Sequence, residues 1–386
     1  VLRILPNRNY MDLSFVRVGE LQKFAASSFN LEGYHIAITP WRAISHENNP
    51  DADPDDIALI YKQDEKGQIC GYIGALPARF DDTGGKKFAW ISGWWVKPGA
   101  GSAISTELLM MFLKNYDFCL MFSELPSLHI AEKVKNVSGA MVKERSGLHI
   151  WIRSNIAGKY MARRGISPYM LKLFRYCGAY YLIHMMDNMV NSILYPLHLV
   201  TAMLAKDKNL VVKRIQYPSE EDFKFILDCA GKDVYVPKLK DLEWISKYPW
   251  LIKKDKDNAV IGSKYFFSSF SESNELFWLK YSLEGQTTGM VMLSVRDGVA
   301  KTQFVYIAPD YSGKVCRAVL AGMLRMFRIK DIISYNTEFV NILNNTRFPC
   351  LRRKEIKRYF GVSKNLIPIT GEEFTMQDGS GDYIFT

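Results

Sequence analysis

Two stretches decide the fold: FAWISGWWVKPGAGSAISTELLMMFL (Phe88 to Leu113) and AKTQFVYIAPDYSGKVCRAVLAGMLRMF (Ala300 to Phe327). Each runs from an apolar strand through a Val/Ile-x-Pro turn with glycine into an apolar helix. The first helix carries Ile104, Leu108, Met111 and Phe112 on one face and the second Val315, Val319, Met323 and Met326, which is amphipathic helical spacing. Each leads to another apolar run, FCLMFSEL (Phe118 to Leu125) and IISYNTEF (Ile332 to Phe339), expected as strands ending in Ser123-Glu124 and Thr337-Glu338. A repeat of this size, separated by most of a domain's length, predicts two copies of one supersecondary unit.

Working outward, a hairpin is expected before each turn. Ile57 to Phe80 has two apolar runs around Asp64-Glu65-Lys66-Gly67, and Glu275 to Gly298 has two around Glu284-Gly285-Gln286. Further upstream, Leu210 to Gly231 reads as a strand followed by a helix whose N-cap is Ser219, with Asp222 three residues on. Arg8 to Phe29 is its less regular counterpart.

The order strand, helix, hairpin, strand, Pro/Gly turn, helix, strand, helix, strand resembles the GNAT acyltransferase fold, present twice, as in tandem-GNAT and Fem-type transferases. The resemblance implies an α/β (α+β) protein of two GNAT-like domains, each a mixed, mostly antiparallel twisted sheet flanked by helices. The expected segments are 1–152, a basic and apolar helical connector over 153–208, and 209–386.

In that family the turn reads roughly V-x-P-x-x-R/Q-G-x-G-x-G/A, and its backbone N–H groups hold the pyrophosphate of coenzyme A. The physical basis is anion capture by unpaired amides at the positive end of a helix dipole. Carried over, the cofactor-binding residues are Val96, Gly99, Ala100, Gly101, Ser102 and Ala103, with acetyl-CoA or another acyl-CoA as co-substrate. This turn is a residue short of the family spacing and has no Arg or Gln. The second turn keeps the spacing from Pro309 to Gly313 but sets Val315 and Arg317 where the family has small residues. The first copy is therefore the expected cofactor site and the second a degenerate partner. Either turn alone reads equally as structural punctuation; two in equivalent places carry the resemblance.

The implied chemistry is direct attack by an amine or hydroxyl on an acyl thioester, which needs a base, an oxyanion donor and a proton for the leaving thiolate. The tyrosine usual in the helix after the second strand is missing from both copies. Glu124, closing the strand, and His129, near the start of the next helix, are the candidate catalytic residues. Glu124 fits a helix-start carboxylate equally well, and His129 a packed histidine.

Composition bounds these readings. With 386 residues and 48% hydrophobic content the chain suits two or three domains with a sizeable core. Its six cysteines are dispersed without a C-x-x-C pair, which points to reduced thiols and a cytoplasmic protein. Six scattered histidines without ligand spacing predict no metal site.

The net charge of +10 concentrates in two clusters, Arg153 to Arg175 and Arg347 to Arg358. They suit anionic partners such as coenzyme A phosphates, nucleotide-linked sugars, phospholipid headgroups or RNA, or else form a solvated face. Cys177 to Ala205 is long and apolar, but His184, Asp187, Asn188, Asn191 and His198 disfavour a membrane span. It reads as a helical connector packed on both domains, or as a helix at a peripheral membrane surface. The tail Glu372 to Thr386 reads as a final hairpin or edge strand, with cleft placement of Asp378 and Asp382 as the alternative.

The resulting expectation is an acyl-CoA-dependent N- or O-acyltransferase with a small-molecule or glycan-precursor acceptor and no DNA or RNA partner. Two alternatives stay open: a Fem-type aminoacyl-tRNA-dependent transferase, which would bind RNA, and a non-catalytic GNAT-like scaffold.

Overall fold

The structure is a computed structural model that describes residues 13–29, 35–80, 85–100, 102–123, 127–156, 178–205, 207–253, 265–267 and 270–385. In chain order it begins with β1 (Leu13–Arg17), α1 (Leu21–Phe29), α2 (Pro40–Glu47), β2 (Ile57–Gln63), β3 (Ile69–Arg79) and β4 (Lys87–Val96). There follow α3 (Ser102–Asn115), β5 (Phe118–Ser123), α4 (Ser127–Ser138), β6 (Met141–Trp151) and the long α5 (Ala179–Leu204). The second half holds β7 (Leu210–Ile215), α6 (Glu220–Cys229), α7 (Leu239–Lys247) and the short parallel pair β8 (Ile252–Lys253) and β9 (Phe270–Ser271). It ends with β10 (Asn274–Leu283), β11 (Gln286–Arg296), β12 (Val299–Ile307), α8 (Ser312–Arg325), β13 (Asp331–Ser334), α9 (Thr337–Asn345) and β14 (Arg352–Val362).

Two compact units result, and neither is a continuous segment. Unit 1 takes in Val1–Arg145, Gly231–Glu272 and Arg358–Thr386; unit 2 takes in Ser146–Ala230 and Ser273–Lys357. These differ from the contiguous segments 1–152 and 209–386 expected from sequence.

In unit 1 the strand order is β1-β2-β3-β4-β5-β14, with β4–β5 parallel and the other pairs antiparallel. In unit 2 it is β7-β10-β11-β12-β13-β6, with β12–β13 parallel and the rest antiparallel. The patterns are the same strand for strand except at the sixth position. There β14, the chain's last strand, pairs with β5, while β6, which follows the first copy, pairs with β13.

Local chemistry explains the elements. The β2–β3 hairpin closes through Gly67 N–H to the Asp64 carbonyl (2.9 Å). The β10–β11 turn places Glu284 and Gly285 at φ 50° and 82°, the left-handed pair that matches strand twist. Ser219 and Asp222 form the expected capping box of α6. Strands β3 and β11 are buried almost throughout. In unit 1, Leu108, Leu109 and Phe112 of α3 pack on Ile60, Ile73 and Ala89. In unit 2, Val315, Val319 and Met323 of α8 pack on Val291 and Leu293.

The repeat extends to single contacts. Gly71 stands opposite Val96 and Gly289 opposite Ile307. A Cβ on Gly71 would lie 2.8 Å from Ile104, and one on Gly289 2.9 Å from Val315. In both units glycine lets the helix approach the strand that precedes its own.

Several expectations are corrected. Thr337-Glu338 do not end a strand: β13 stops at Ser334, because the Asn336 side chain accepts from Phe339 N–H (2.9 Å) and starts α9 there. Arg153 is not a surface cation. It is fully buried, and its Nη1 donates to the carbonyls of Met326 and Ile329 (2.6 Å each), capping the end of α8. Burial brings its pKa down to about 10. Arg353 closes α9 likewise, donating to the Leu343 and Thr346 carbonyls. Among the described residues of the tail, Thr375 makes a single parallel bridge with Asp233 and Gly381–Phe385 is a 3-10 turn, entered at Gly381 with φ 65°, in place of the expected hairpin or edge strand. Helix α5 lies in unit 2, packed against α8.

Segment 231–272 joins unit 1 through buried polar contacts. Lys238 Nζ reaches both oxygens of Asp51 at 2.8 Å, and Trp244 Nε1 donates to the Ser45 carbonyl (2.7 Å). Burial opposes the Asp51 charge, but Lys238 and Lys240 outweigh it and hold its pKa below the ordinary value.

Candidate active site

The site begins at an irregularity in β4. Opposite β3 the register runs Ile73 with Trp94 and then Ala75 with Ile91, so Ser92 and Gly93 together face Gly74. This is a β-bulge, and it requires both glycines. Gly93 has φ 82°, and a Cβ on Gly74 would lie 2.1 Å from the Ser92 carbonyl oxygen. Just before the bulge β4 and β5 cease to pair: their parallel ladder holds only Ala89 with Phe118 and Trp90 with Cys119. Beyond those pairs no ladder joins the two strands, and the C-terminal turn Gly381–Phe385 packs against both of them.

Strand β4 leads on from the bulge into the glycine turn. Lys97 N–H donates to the Cys70 carbonyl (2.9 Å) and Ala100 N–H to the Lys97 carbonyl (3.0 Å). Gly99 has φ 85°, and nothing lies within 4 Å of where its Cβ would be. Ser102 and Ala103, the first residues of α3, are exposed. Lys133 of α4 donates to the Ser102 carbonyl (3.2 Å), bringing a cation to the open helix start. Val96, Gly99, Ala100, Ser102 and Ala103 thus come together in one turn, while Gly101 lies outside the described residues.

The second copy has the same parts, differently filled. Gln303 is the extra residue of β12, between the pairs Met292–Phe304 and Leu293–Thr302. Past the last β12–β13 pair, Thr302 and Ser334 share a 2.6 Å hydrogen bond across the place where the strands would part. At the start of α8, Ser312 Oγ donates to the Glu338 carboxylate. An acid therefore stands where the first turn is open.

Beneath the first bulge lies a buried polar cluster that sequence reasoning missed. Arg42, on α2, is 3% exposed. Its Nη1 donates to Tyr265 Oη and its Nη2 to Asp382 Oδ2, both at 2.8 Å; Nη2 also donates to Ser92 Oγ. Ser92 Oγ in turn donates to Asp382 Oδ2 (3.0 Å). The Trp250 ring lies 4.9 Å from the guanidinium carbon. Burial opposes the Arg42 charge, yet Tyr265 and Asp382 outweigh it and raise its pKa.

His46, one turn further along α2, accepts from Arg42 Nε at 3.5 Å. Burial, reinforced by Arg42, lowers its pKa well below the ordinary histidine value, so it is neutral. Its Nδ1 is buried with no hydrogen-bond partner. Gly381 brings the C-terminal turn against the Trp90 ring, and that turn touches both β4 and β5.

Beside this cluster His35 stacks on Trp95 of β4, centroids 3.7 Å apart. Burial lowers its pKa to about 4, leaving the imidazole neutral near pH 7. His35 Nε2 and the hydroxyl of the neighbouring Tyr72 are both buried without a partner. Buried polar atoms left unpaired are uncommon and mark places where water or a ligand group fits.

Of the catalytic residues expected from sequence, Glu124 lies outside the described residues. His129 falls in α4, and its side chain lies outside the described residues. Arg42, Ser92, Tyr265 and Asp382 lie far apart along the chain, which is why no motif announces them. The one local signal is Thr39-Pro40, the N-cap and first residue of α2. Among the described residues no group of three His, Cys, Asp or Glu side chains is placed to hold a metal.

The strand order, the single parallel pair, the bulge and the glycine turn, each present twice, define a duplicated mixed α/β fold. No family model matches the chain, and no curated protein does. Among solved structures, the chain is similar to a tandem GNAT protein from the clavulanic acid biosynthesis pathway, at 12% identity and TM-score 0.42, covering 91% of this chain and 98% of that one. It is similar to the N-myristoyltransferase of Saccharomyces cerevisiae with bound myristoyl-CoA, at 10% identity and TM-score 0.47, covering 93% and 80%. It is also similar to the GCN5-related glucosamine N-acetyltransferase region of a fungal multi-domain GH3 β-N-acetylglucosaminidase, at 9% identity and TM-score 0.42. That match covers 90% of this chain and only 38% of the fungal one.

Proposed function

We propose that the protein is an acyl-CoA-dependent N- or O-acyltransferase, working in a reducing, cytoplasmic compartment, whose reaction centre lies at the β4 bulge of unit 1, where the β4–β5 ladder ends. The observation that carries this reading is that β4 and β5 part beside a glycine turn whose helix start is exposed and bears no acid in its first turn. The turn Gly99 to Ala103, with the helix-start amides of Ser102 and Ala103 aided by Lys133, would hold the pyrophosphate of acetyl-CoA or a longer acyl-CoA. The thioester would then reach the bulge, where a main-chain amide released from the ladder is an oxyanion donor.

The acceptor nitrogen or oxygen attacks the carbonyl carbon and loses its proton to a base, and the C–S bond breaks as the departing thiolate takes up a proton. Glu124 and His129 remain the proposed acid–base residues, after β5 and at the start of α4 in the sequence. The acceptor is a small molecule or glycan precursor. The C-terminal turn against β4 and β5 favours a second reading, a GNAT-like scaffold that binds acyl-CoA without turnover.

Calorimetric titration with acetyl-CoA and longer acyl-CoAs tests the proposal, with Ala103→Glu as the informative variant. A carboxylate in the first turn of α3 favours the helix dipole, so the fold persists while diphosphate is repelled. Binding should weaken by about tenfold or more. No acyl-CoA binding by the wild type, or equal binding by the variant, rejects the site. Binding without transfer to any amine or hydroxyl selects the scaffold reading.

A further inference from the structure

The bulge of β4 is gripped by side chains from elsewhere in unit 1. Ser92, which shares the bulge with Gly93, is 4% exposed and sits in a closed triangle of hydrogen bonds. Its Oγ accepts from Arg42 Nη2 and donates to Asp382 Oδ2 (3.0 Å), and Arg42 Nη2 donates to the same carboxylate oxygen (2.8 Å). Arg42 comes from α2 and Asp382 from the C-terminal turn, 50 and 290 residues from Ser92 along the chain. Folding of the cluster does not need Ser92. Tyr265 and Asp382 already serve the two Nη atoms of Arg42, at 2.8 Å each.

The equivalent place in unit 2 is held differently. There Gln303, the extra residue of β12, donates through Nε2 to Ser294 Oγ (2.7 Å) on the adjoining strand β11, a bond between neutral groups nine residues apart. Unit 1 instead commits a buried guanidinium and a buried carboxylate to its bulge. Hydrogen bonds to charged groups are stronger than neutral ones, and burying those charges is costly unless they are paired. The charged grip belongs to the copy whose helix start is exposed, and the neutral bond to the copy whose helix start meets Glu338.

We infer that Arg42, Ser92 and Asp382 are positioning residues for acyl transfer, fixing the Ser92–Gly93 bulge so that a main-chain amide there is aimed at the thioester oxygen. The inference rests on the reaction proposed above. Gly93, at φ 82°, leaves the backbone of the bulge many conformations in the absence of a tether. An oxyanion donor works only when it is already aimed, because a misplacement of about 1 Å costs roughly a hundredfold in rate. Ser92 Oγ, bonded to two distant segments, removes that freedom at the residue adjoining Gly93. None of these hydrogen bonds involves the glycine turn, so the grip acts on turnover and leaves binding of the co-substrate alone.

Ser92→Ala in the full chain is the test, because Arg42 keeps Tyr265 and Asp382 and the fold persists. Hydrogen–deuterium exchange of the peptide spanning Ile91 to Trp95 should quicken about tenfold or more, as loss of a hydrogen bond to a charged group implies. Acetyl-CoA with water as acceptor gives the second measurement: water attacks the thioester carbon, the C–S bond breaks and the thiolate takes the proton. The kcat for thiol release should fall about tenfold to a hundredfold, while calorimetric affinity for acetyl-CoA stays within about twofold. Val16→Ala, a core truncation in β1, lowers stability away from the bulge and should leave kcat unchanged. Equal kcat in wild type and Ser92→Ala, a parallel loss of affinity, or unchanged exchange overturns the inference. So does an equal loss of kcat in Val16→Ala, because the effect then follows stability. Wild type that binds acetyl-CoA without releasing thiol rejects the acyl-transfer reading and the catalytic role with it, while the exchange measurement still decides whether Ser92 holds the bulge.

Discussion

Removing Asp382 should destabilise unit 1 from a position four residues before the end of the chain. The Asp382–Arg42 pair is 2.8 Å long with side chains 11% and 4% exposed. Breaking a buried pair by deleting one partner costs about 3–5 kcal/mol, because the other charge stays buried without compensation. Tyr265 and Ser92 still serve Arg42 in Asp382→Ala, which places the expected loss near 3 kcal/mol. For a unit of this size that is roughly 6–12 °C in melting temperature. Arg42→Met should cost a similar amount.

The double variant Arg42→Met with Asp382→Ala removes both charges and should cost less than the two singles together, by about 2 kcal/mol. Urea unfolding followed by tryptophan emission measures all three, since Trp250 lies against Arg42. Additive losses, to within about 0.5 kcal/mol, would show that the two charges do not depend on each other and refute the reasoning. A loss below about 1 kcal/mol for Asp382→Ala would mean that the C-terminal turn is not held by charge.

Three further outcomes are expected. Gly74→Ala drives a Cβ into the Ser92 carbonyl, so it should cost about 1–3 kcal/mol, read by thermal melting, whereas Gly322→Ala, with nothing within 4 Å, should not destabilise. His46 has a depressed folded pKa, so its contribution is present above the unfolded value near 6.5 and is lost as pH falls below it. Unfolding free energy should decline by up to about 1.4 kcal/mol per pH unit below about pH 6.5 on its account, and His46→Gln should flatten that slope in urea titrations across pH; an unchanged slope counts against a buried neutral imidazole. Lys133→Glu should weaken acyl-CoA binding by about tenfold through like-charge repulsion, whereas Lys314→Glu, on the second turn, should leave it unchanged; the reverse result moves the cofactor site to the second copy.

The parts of the fold that depend on nearby residues were legible. Hairpins, the capping box of α6 and both strand-turn-helix units follow from spacing and turn chemistry acting over a few residues, and those forces are the same in any context. The partners of β6 and β14 were not legible. Each strand follows a helix as the repeat demands, and nothing in its sequence states which β5-like edge it will join. His149 and Ile150 of β6 face Ile333 and Ile332, while Phe360 and Gly361 of β14 face Met121 and Leu120. Either apolar strand satisfies either apolar edge. Close fits such as that of Gly147, where a Cβ would lie 2.4 Å from Tyr335, match β6 to the edge of β13 although β6 follows β5 in the chain.

The candidate site follows the same division. The glycine turn is a local object and was read from sequence, but the cluster beneath it is assembled by pairing distant segments. Arg42 is a cation in an apolar stretch, Tyr265 one aromatic among many, and Asp382 lies in a tail that resembles a hairpin. Burial alone gives them meaning, because a guanidinium removed from water must find acceptors, and here three separate chain segments supply them. The strand exchange and this cluster are therefore physically linked: β14 pairs with β5 within unit 1, and the tail that follows it brings Asp382 to the bulge of β4. A chain cut after β14 would keep the sheet of unit 1 yet leave Arg42 buried without its carboxylate.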